Sequence, residues 1–135
     1  MAFFASELTS GEEGFWQQRA RERRDKIRSI MYDGETFRDY NFVKNTFSPV
    51  FSCASFYPLW AKIASEEEAA STVKLLPLLE REHGLATCQP IERKEKYQWD
   101  YPNCWASLQY LIVYGLDNYG YYEDAVRIAT KYVRS

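Results

Sequence analysis

The sequence holds a single histidine, His83, and only three cysteines, Cys53, Cys88 and Cys104. With His83 the lone histidine, neither a histidine-built metal centre nor a Ser-His-Asp triad is the expected reading, and no metal or cofactor is expected. The cysteines are odd in number and far apart, which excludes a disulfide framework and predicts reduced thiols in a cytoplasmic protein. No cationic leader flanks the short apolar patch at 2–5, so no secretion signal is expected. The longest stretch without a charge, 45–61, is short and carries Ser, Pro and Asn, so no membrane span is expected. A dominant charge sign is lacking too: 17 Lys and Arg face 19 Asp and Glu, a net charge of −2. That balance excludes a strongly basic nucleic-acid binder and an acidic disordered tail. Low-complexity segments and strict repeats are absent.

Aromatic residues are abundant, at 17% of the chain, with 11 Tyr, 8 Phe and 4 Trp. Such an excess serves a bulky core, or a surface that stacks on flat ligands, sugars or a partner. With 135 residues, 46% hydrophobic and 27% charged, the chain suits one domain able to bury a core, with 1–11 a frayed start.

Residues 12–31 read as a helix with Trp16, Ala20, Ile27, Ile30 and Met31 on one side. Its other side carries Arg19, Arg21, Arg23, Arg24, Lys26 and Arg28 with Glu22 and Asp25 interleaved, a solvated, self-paired face rather than a phosphate patch. Asp33-Gly34 reads as a turn, and 37–42 as a short extended stretch. Residues 52–64 are apolar nearly all round (Phe56, Tyr57, Leu59, Trp60, Ile63), which predicts a helix buried on all sides, kinked or restarted at Pro58. Ser65 with Glu68 fits a capping box opening a helix that runs to about residue 82 and ends at Gly84, although Pro77 falls inside it. His83 then reads as an ordinary helix-end residue, where a cation suits the dipole.

Residues 85–101 read as a long irregular connection, of the kind that often carries function. Pro102 and Asn103 open the next helix, with Trp105, Leu108, Leu111, Ile112 and Leu116 inward and Gly120 ending it. A last helix covers 122–132. The expected class is all-α, built of αα-hairpins, with no convincing sheet.

The informative segment is Gln98-Trp99-Asp100-Tyr101-Pro102-Asn103-Cys104-Trp105, at the end of the long loop. Trp99 reads as a core plug or as a flat platform for the C–H face of a sugar, worth about 1–2 kcal/mol at roughly 25 cal/mol per Å². Gln98 and Asp100 would supply hydrogen bonds to hydroxyls; alternatively Asp100 caps the following helix.

The string Gln-Trp-Asp-Tyr-Pro-Asn-x-Trp-Ala resembles the second signature of the α,α-trehalases, inverting glycoside hydrolases that split trehalose into two glucoses on an (α/α)6 barrel. Phe37-Arg38-Asp39-Tyr40 is similar to that family's aromatic Asp-Tyr segment. The stretch 54–64 is similar to its apolar helix with an internal Pro-Leu, 84–88 to the loop before the signature, and 114–125 to the following helix pair. The likeness spans about 15–135. Cys104 stands where the family usually has Gly, and Ser107 where it usually has Pro; a Cβ at 104 threatens a close backbone approach.

The resemblance implies a single partial domain, 1–135: an arc of αα-hairpins cut from the barrel. It implies trehalose or a related glucoside as ligand, bound by Trp99, Gln98 and Asp100. The family's general acid lies in a Gly-Trp-Asp segment upstream of the matched stretch and its general base is a Glu downstream, so no catalytic carboxylate is expected in this chain. Glu95-Lys96-Tyr97 mimics the setting of that base but lies at the wrong place in the chain order. No nucleic acid and no membrane is expected as partner. An arc leaves faces uncovered, with Phe56, Trp60, Leu111 and Ile112 the candidates, so self-association or a complementary barrel segment is expected. Two other readings stand beside this one: a small non-catalytic helical binding or scaffold module, and a hydrolase using Asp100 with Glu92 or Glu95.

Overall fold

A computed structural model describes residues 5, 7, 8, 11–92, 95 and 97–134. The expected frayed start at 1–11 therefore lies mostly outside the described residues.

Helix α1, Glu13–Met31, forms where expected, yet none of its residues is buried. Its apolar side meets the body only at the C-terminal end. There Arg28 pairs with Glu68 at 2.9 Å and the Tyr32 hydroxyl meets Ser71 Oγ at 2.9 Å. On the basic side Arg24 bonds Asp25 within the helix, Arg19 lies over the Phe15 ring, and Gln18 bonds Glu22, a narrower pairing than the self-paired face expected.

The turn after α1 is built by Asp33, whose carboxylate accepts from the amides of Glu35 (2.9 Å) and Thr36 (2.8 Å) and from Arg38 Nε (2.6 Å). Residues 37–41 are extended, one residue short of the expected 42, where Phe42 enters the turn, and Tyr40–Asn41 (β1) pairs antiparallel with Thr46–Phe47 (β2). The Asn41 side chain closes the hairpin by accepting from the amides of Val43 and Lys44.

The apolar stretch after it folds as a 3-10 turn, Cys53–Phe56, running into the single-turn helix α2, Tyr57–Trp60. Pro58 stands in the first turn of α2, where its missing N–H costs nothing, so the restart occurs as the sequence predicts. Burial on all sides does not occur: Phe56 and Leu59 are buried, but Tyr57 is 38% and Trp60 44% exposed. The reason is that α2 packs on one partner, the later helix α4 (Ala106–Asn118). Gly115 of α4 makes that crossing close. A Cβ there would stand 3.0 Å from Trp60 N and 3.3 Å from Leu59 Cβ. Gly115→Val is therefore expected to cost about 2–3 kcal/mol by overpacking, read from urea unfolding. A loss below about 0.5 kcal/mol would show that α2 moves aside freely.

Helix α3, Glu66–Val73, opens with the complete Ser65–Glu68 capping box. It stops nine residues before the expected end at 82 (82 − 73). Pro77 cannot donate, so the chain passes into a 3-10 turn, Leu76–Leu78, and then a hairpin, β3 (Glu80–Arg81) with β4 (Gly84–Leu85). His83 is thus an exposed turn residue rather than a helix end, and Gly84, at φ 112, serves a strand turn. Two short ladders exist where no sheet was expected.

The 85–101 connection is only half irregular. Leu85, Ala86, Thr87 and Cys88 are buried, and Cys88 forms a β-bridge with Ser52. Helix α4 begins at Ala106, later than the expected 102, because Asn103 folds back onto the loop. Helix α5, Tyr122–Val133, returns along α4 as an αα-hairpin. Phe56, Leu59, Leu76, Leu85, Ile112 and Ile128 form the centre of the core.

Of the four residues expected on uncovered faces, Phe56 and Ile112 are fully buried, Leu111 is half-buried, and only Trp60 is exposed. The exposed apolar side chains of the last hairpin are instead Tyr110, Tyr114, Tyr122, Val126 and Val133. Among the described residues no helix is long and apolar enough to cross a membrane.

Glu80 ties α5 to β3 through Arg127 (3.0 Å) and Lys131 (2.7 Å). Burial alone would raise its pKa, but the bonds from Arg127 and Lys131 outweigh it and hold the carboxyl below its ordinary 4.5. A depressed folded pKa contributes stability that is present above the unfolded value and lost as pH falls through the folded one. Stability is therefore expected to decline below about pH 4.5, and less steeply in Glu80→Gln, in urea titrations at stepped pH. Parallel curves for the two proteins would remove Glu80 from the acid response.

Candidate sugar-site wall

The segment 97–105 is a self-bonded loop. The Asp100 carboxylate accepts from the Tyr97 amide at 2.9 Å, and the Asp100 amide donates to the Tyr97 carbonyl at 3.1 Å. Asp100 therefore caps this turn rather than α4, whose N-terminus has no side-chain cap. The Gln98 carbonyl accepts from Asn103 Nδ2 (3.0 Å) and from Trp105 Nε1 (3.1 Å). The Asn103 carbonyl accepts both the amide and the hydroxyl of Thr87, each at 2.8 Å, which fastens the loop to the buried 85–88 segment. The Tyr101–Pro102 peptide bond is cis.

Trp99 is 52% exposed and stacks on Trp105, with ring centroids 5.5 Å apart and planes 26° from parallel. It is not a core plug. One face is supported, so the indole is held at low entropic cost for whatever meets its other side.

Trp99 and Asp100 line one cavity of about 350 Å³ together with Asp39, Ser52, Tyr57 and Thr87. Gln98 does not line it; that residue is exposed and contributes its backbone carbonyl to the loop. A volume at the low end of ligand pockets suits a single ring-sized polar ligand. A second, more apolar cavity of about 330 Å³ lies between the end of α1 and α2, lined by Ile27, Met31, Pro58 and Ile63, and shares Asp39 and Tyr57 with the first.

Burial, then the neighbouring Cys53 and Asp39, raise the Tyr57 pKa, so its phenol stays protonated at neutral pH. Burial pushes the Cys53 thiol up to about 12, with Cys104 and Cys88 adding to it, so Cys53 is no nucleophile. Cys104 leans on the His83 carbonyl at 3.7 Å and does not line the cavity. Its side chain points to the β3–β4 turn.

Glu92 and Glu95 are exposed, and Glu95 accepts from the Tyr97 hydroxyl at 2.9 Å. The neighbouring Arg93, Lys94 and Lys96 lie outside the described residues. Among the described residues no group of three His, Cys, Asp or Glu side chains could hold a metal ion. Sequence reasoning gave no role to Asp39 or Tyr57. The available signal was the Asp-Tyr segment at 39–40 and the aromatic beside Pro58, but nothing local says that the two share a cavity with Trp99.

A family model described as Trehalase matches residues 1–135. The chain is 36% identical to a probable trehalase of Eremothecium gossypii over 96% of this chain and 19% of that protein. It is 37% identical to a cytosolic neutral trehalase of Saccharomyces cerevisiae over 87% of this chain and 17% of that protein. Among solved structures, neutral trehalase Nth1 from Saccharomyces cerevisiae superposes with a TM-score of 0.79 at 35% identity, covering 87% of this chain and 22% of that one. The chain thus spans under a fifth of the length of these two curated relatives.

Proposed function

This chain belongs to the trehalase family, and from that footing we propose that it supplies one wall of the sugar site of a trehalose-hydrolysing enzyme. In this reading it forms an arc of an (α/α)6 barrel. The ligand is trehalose or a related glucoside. Trp99 covers the apolar face of a glucose ring, Asp100 and Gln98 stand beside it, and the acid and base carboxylates come from outside residues 1–135. A complementary barrel segment, rather than nucleic acid or a membrane, is the partner, and the setting is cytosolic, as in the names of several relatives.

The observation that carries this is the supported, half-exposed Trp99 ring at the polar cavity it shares with Asp100. Inversion needs two carboxyl groups about 6.5–9.5 Å apart, one of them an acid with a raised pKa. The Asp100 carboxylate is already engaged by the Tyr97 amide within its own turn, which suits a structural or ligand-orienting role. Burying a sugar face on Trp99 contributes about 1–2 kcal/mol, well short of the roughly 4 kcal/mol that a millimolar complex needs, so binding by this wall alone is expected to be no tighter than millimolar.

The test is a titration of the chain with trehalose and with glucose, followed by tryptophan fluorescence and by the Trp99 indole resonance. Both are expected to respond, and Trp99→Ala is expected to abolish the response. A response unchanged in Trp99→Ala would remove Trp99 from the site. Adding in trans the remaining segments of a family member, which carry the two carboxylates, separates the enzyme-segment reading from a non-catalytic binding module: restored hydrolysis supports the first.

A further inference from the structure

The polar groups of the loop and core are nearly all committed: Asn103, Thr87, Trp105 Nε1 and both ends of the Gln109 amide have partners. No described buried side-chain nitrogen or oxygen lacks one. At the exposed side of the cavity two groups are not committed in this way. Among the described residues, the Asp39 carboxylate and the Tyr57 hydroxyl make no hydrogen bond, and both line the cavity that holds Trp99 and Asp100. They come from separate parts of the chain: Asp39 precedes β1 and Tyr57 opens α2. They are near enough for the Asp39 charge to act on the phenol.

Their chemistry is complementary. A carboxylate has two oxygens that accept, and a protonated phenol donates. Adjacent hydroxyls of a pyranose offer both a donor pair and an acceptor to such a set. The Ser48 and Ser52 hydroxyls at the same cavity accept from the amides of Val50 and Ala54, so their protons also remain for outward donation.

We infer that Asp39 and Tyr57 are ligand-contacting residues of this cavity, Asp39 accepting hydroxyl protons of a pyranose and Tyr57 donating to one of its oxygens, so that they select the hydroxyl pattern of the sugar stacked on Trp99. This rests on the reading of the cavity as a sugar site and adds residues to it. Tyr57 contributes specificity rather than bulk, because the phenylalanine equivalent keeps the ring and loses only the donor.

The experiment is an NMR titration of the full chain, with labelled tyrosine and tryptophan, using trehalose and glucose as probes. Trehalose is expected to move both the Trp99 and the Tyr57 resonances. Asp39→Asn is expected to weaken trehalose binding about tenfold, as for a hydrogen bond to a charged group. Tyr57→Phe should weaken it about three- to fivefold, as for a neutral one. Both positions are partly exposed, so thermal stability should hardly change; an intact amide spectrum checks this for each variant. If trehalose moves Trp99 but not Tyr57, and both variants bind like the parent, the inference is overturned while the sugar-site reading stands. If neither resonance moves, the sugar site and the inference fall together. If Tyr57 moves and both variants weaken binding while Trp99 stays still, the inference holds and the platform falls.

Discussion

Incubated with trehalose, the 135-residue chain is expected to release glucose no faster than buffer does. General acid and general base each contribute about 10²–10⁴-fold, so if both come from outside residues 1–135, as proposed, the chain alone forfeits about 10⁴–10⁸ in rate. The carboxylates near the cavity are poor substitutes. Asp100 is held by the Tyr97 amide in a turn, and Glu95 is an exposed group bonded to the Tyr97 hydroxyl. Glu92 is exposed as well, and none of the three sits in the apolar pocket that a raised-pKa acid needs. Coupled assay of glucose over long incubations measures this, with Asp100→Asn and Glu95→Gln beside the parent. Turnover in the parent that either substitution abolishes would overturn the segment reading and make this chain a hydrolase in its own right.

Gln109→Leu is expected to remove about 3–5 kcal/mol of folding stability, a fifth or more of the roughly 5–15 kcal/mol a domain commonly has. Gln109 is a buried polar side chain in the middle of the core. Its amide works as a strand: Oε1 accepts from the Leu85 amide at 2.9 Å, and Nε2 donates to the Leu85 carbonyl at 2.9 Å. Leucine fills nearly the same volume but leaves both backbone groups buried without partners, at about 1–3 kcal/mol each. The same contact explains the glycine next door, since a Cβ at Gly84 would stand 2.9 Å from Gln109 Oε1. Urea unfolding checks the size of the loss. A change under about 1 kcal/mol would mean that water reaches Leu85 in the variant.

The sequence by itself determined whatever depends on neighbours along the chain. Helices α1, α4 and α5 follow from apolar periodicity, the Ser65–Glu68 box from spacing, and the restart of α2 from Pro58. The family was legible in 98–105, because those residue types serve one loop and were read as one string. Tertiary structure alone decided what depends on distant partners. Pro77 forbade a long helix, but only the pairing of β3 with β4, and of Leu85 with Gln109 24 positions away, turned the remainder into a buried hairpin. Trp99 could have been a core plug; the Trp105 ring beside it, and the Asn103–Thr87 bonds that hold the loop, keep it half-exposed instead. Asp39 and Tyr57 join Trp99 at one cavity only because α2 packs against α4 and the 85–88 segment bridges back to Ser52. Periodicity and capping act over about one helical turn. A cavity is enclosed by side chains that the chain order keeps far apart, so its membership is a property of the packing.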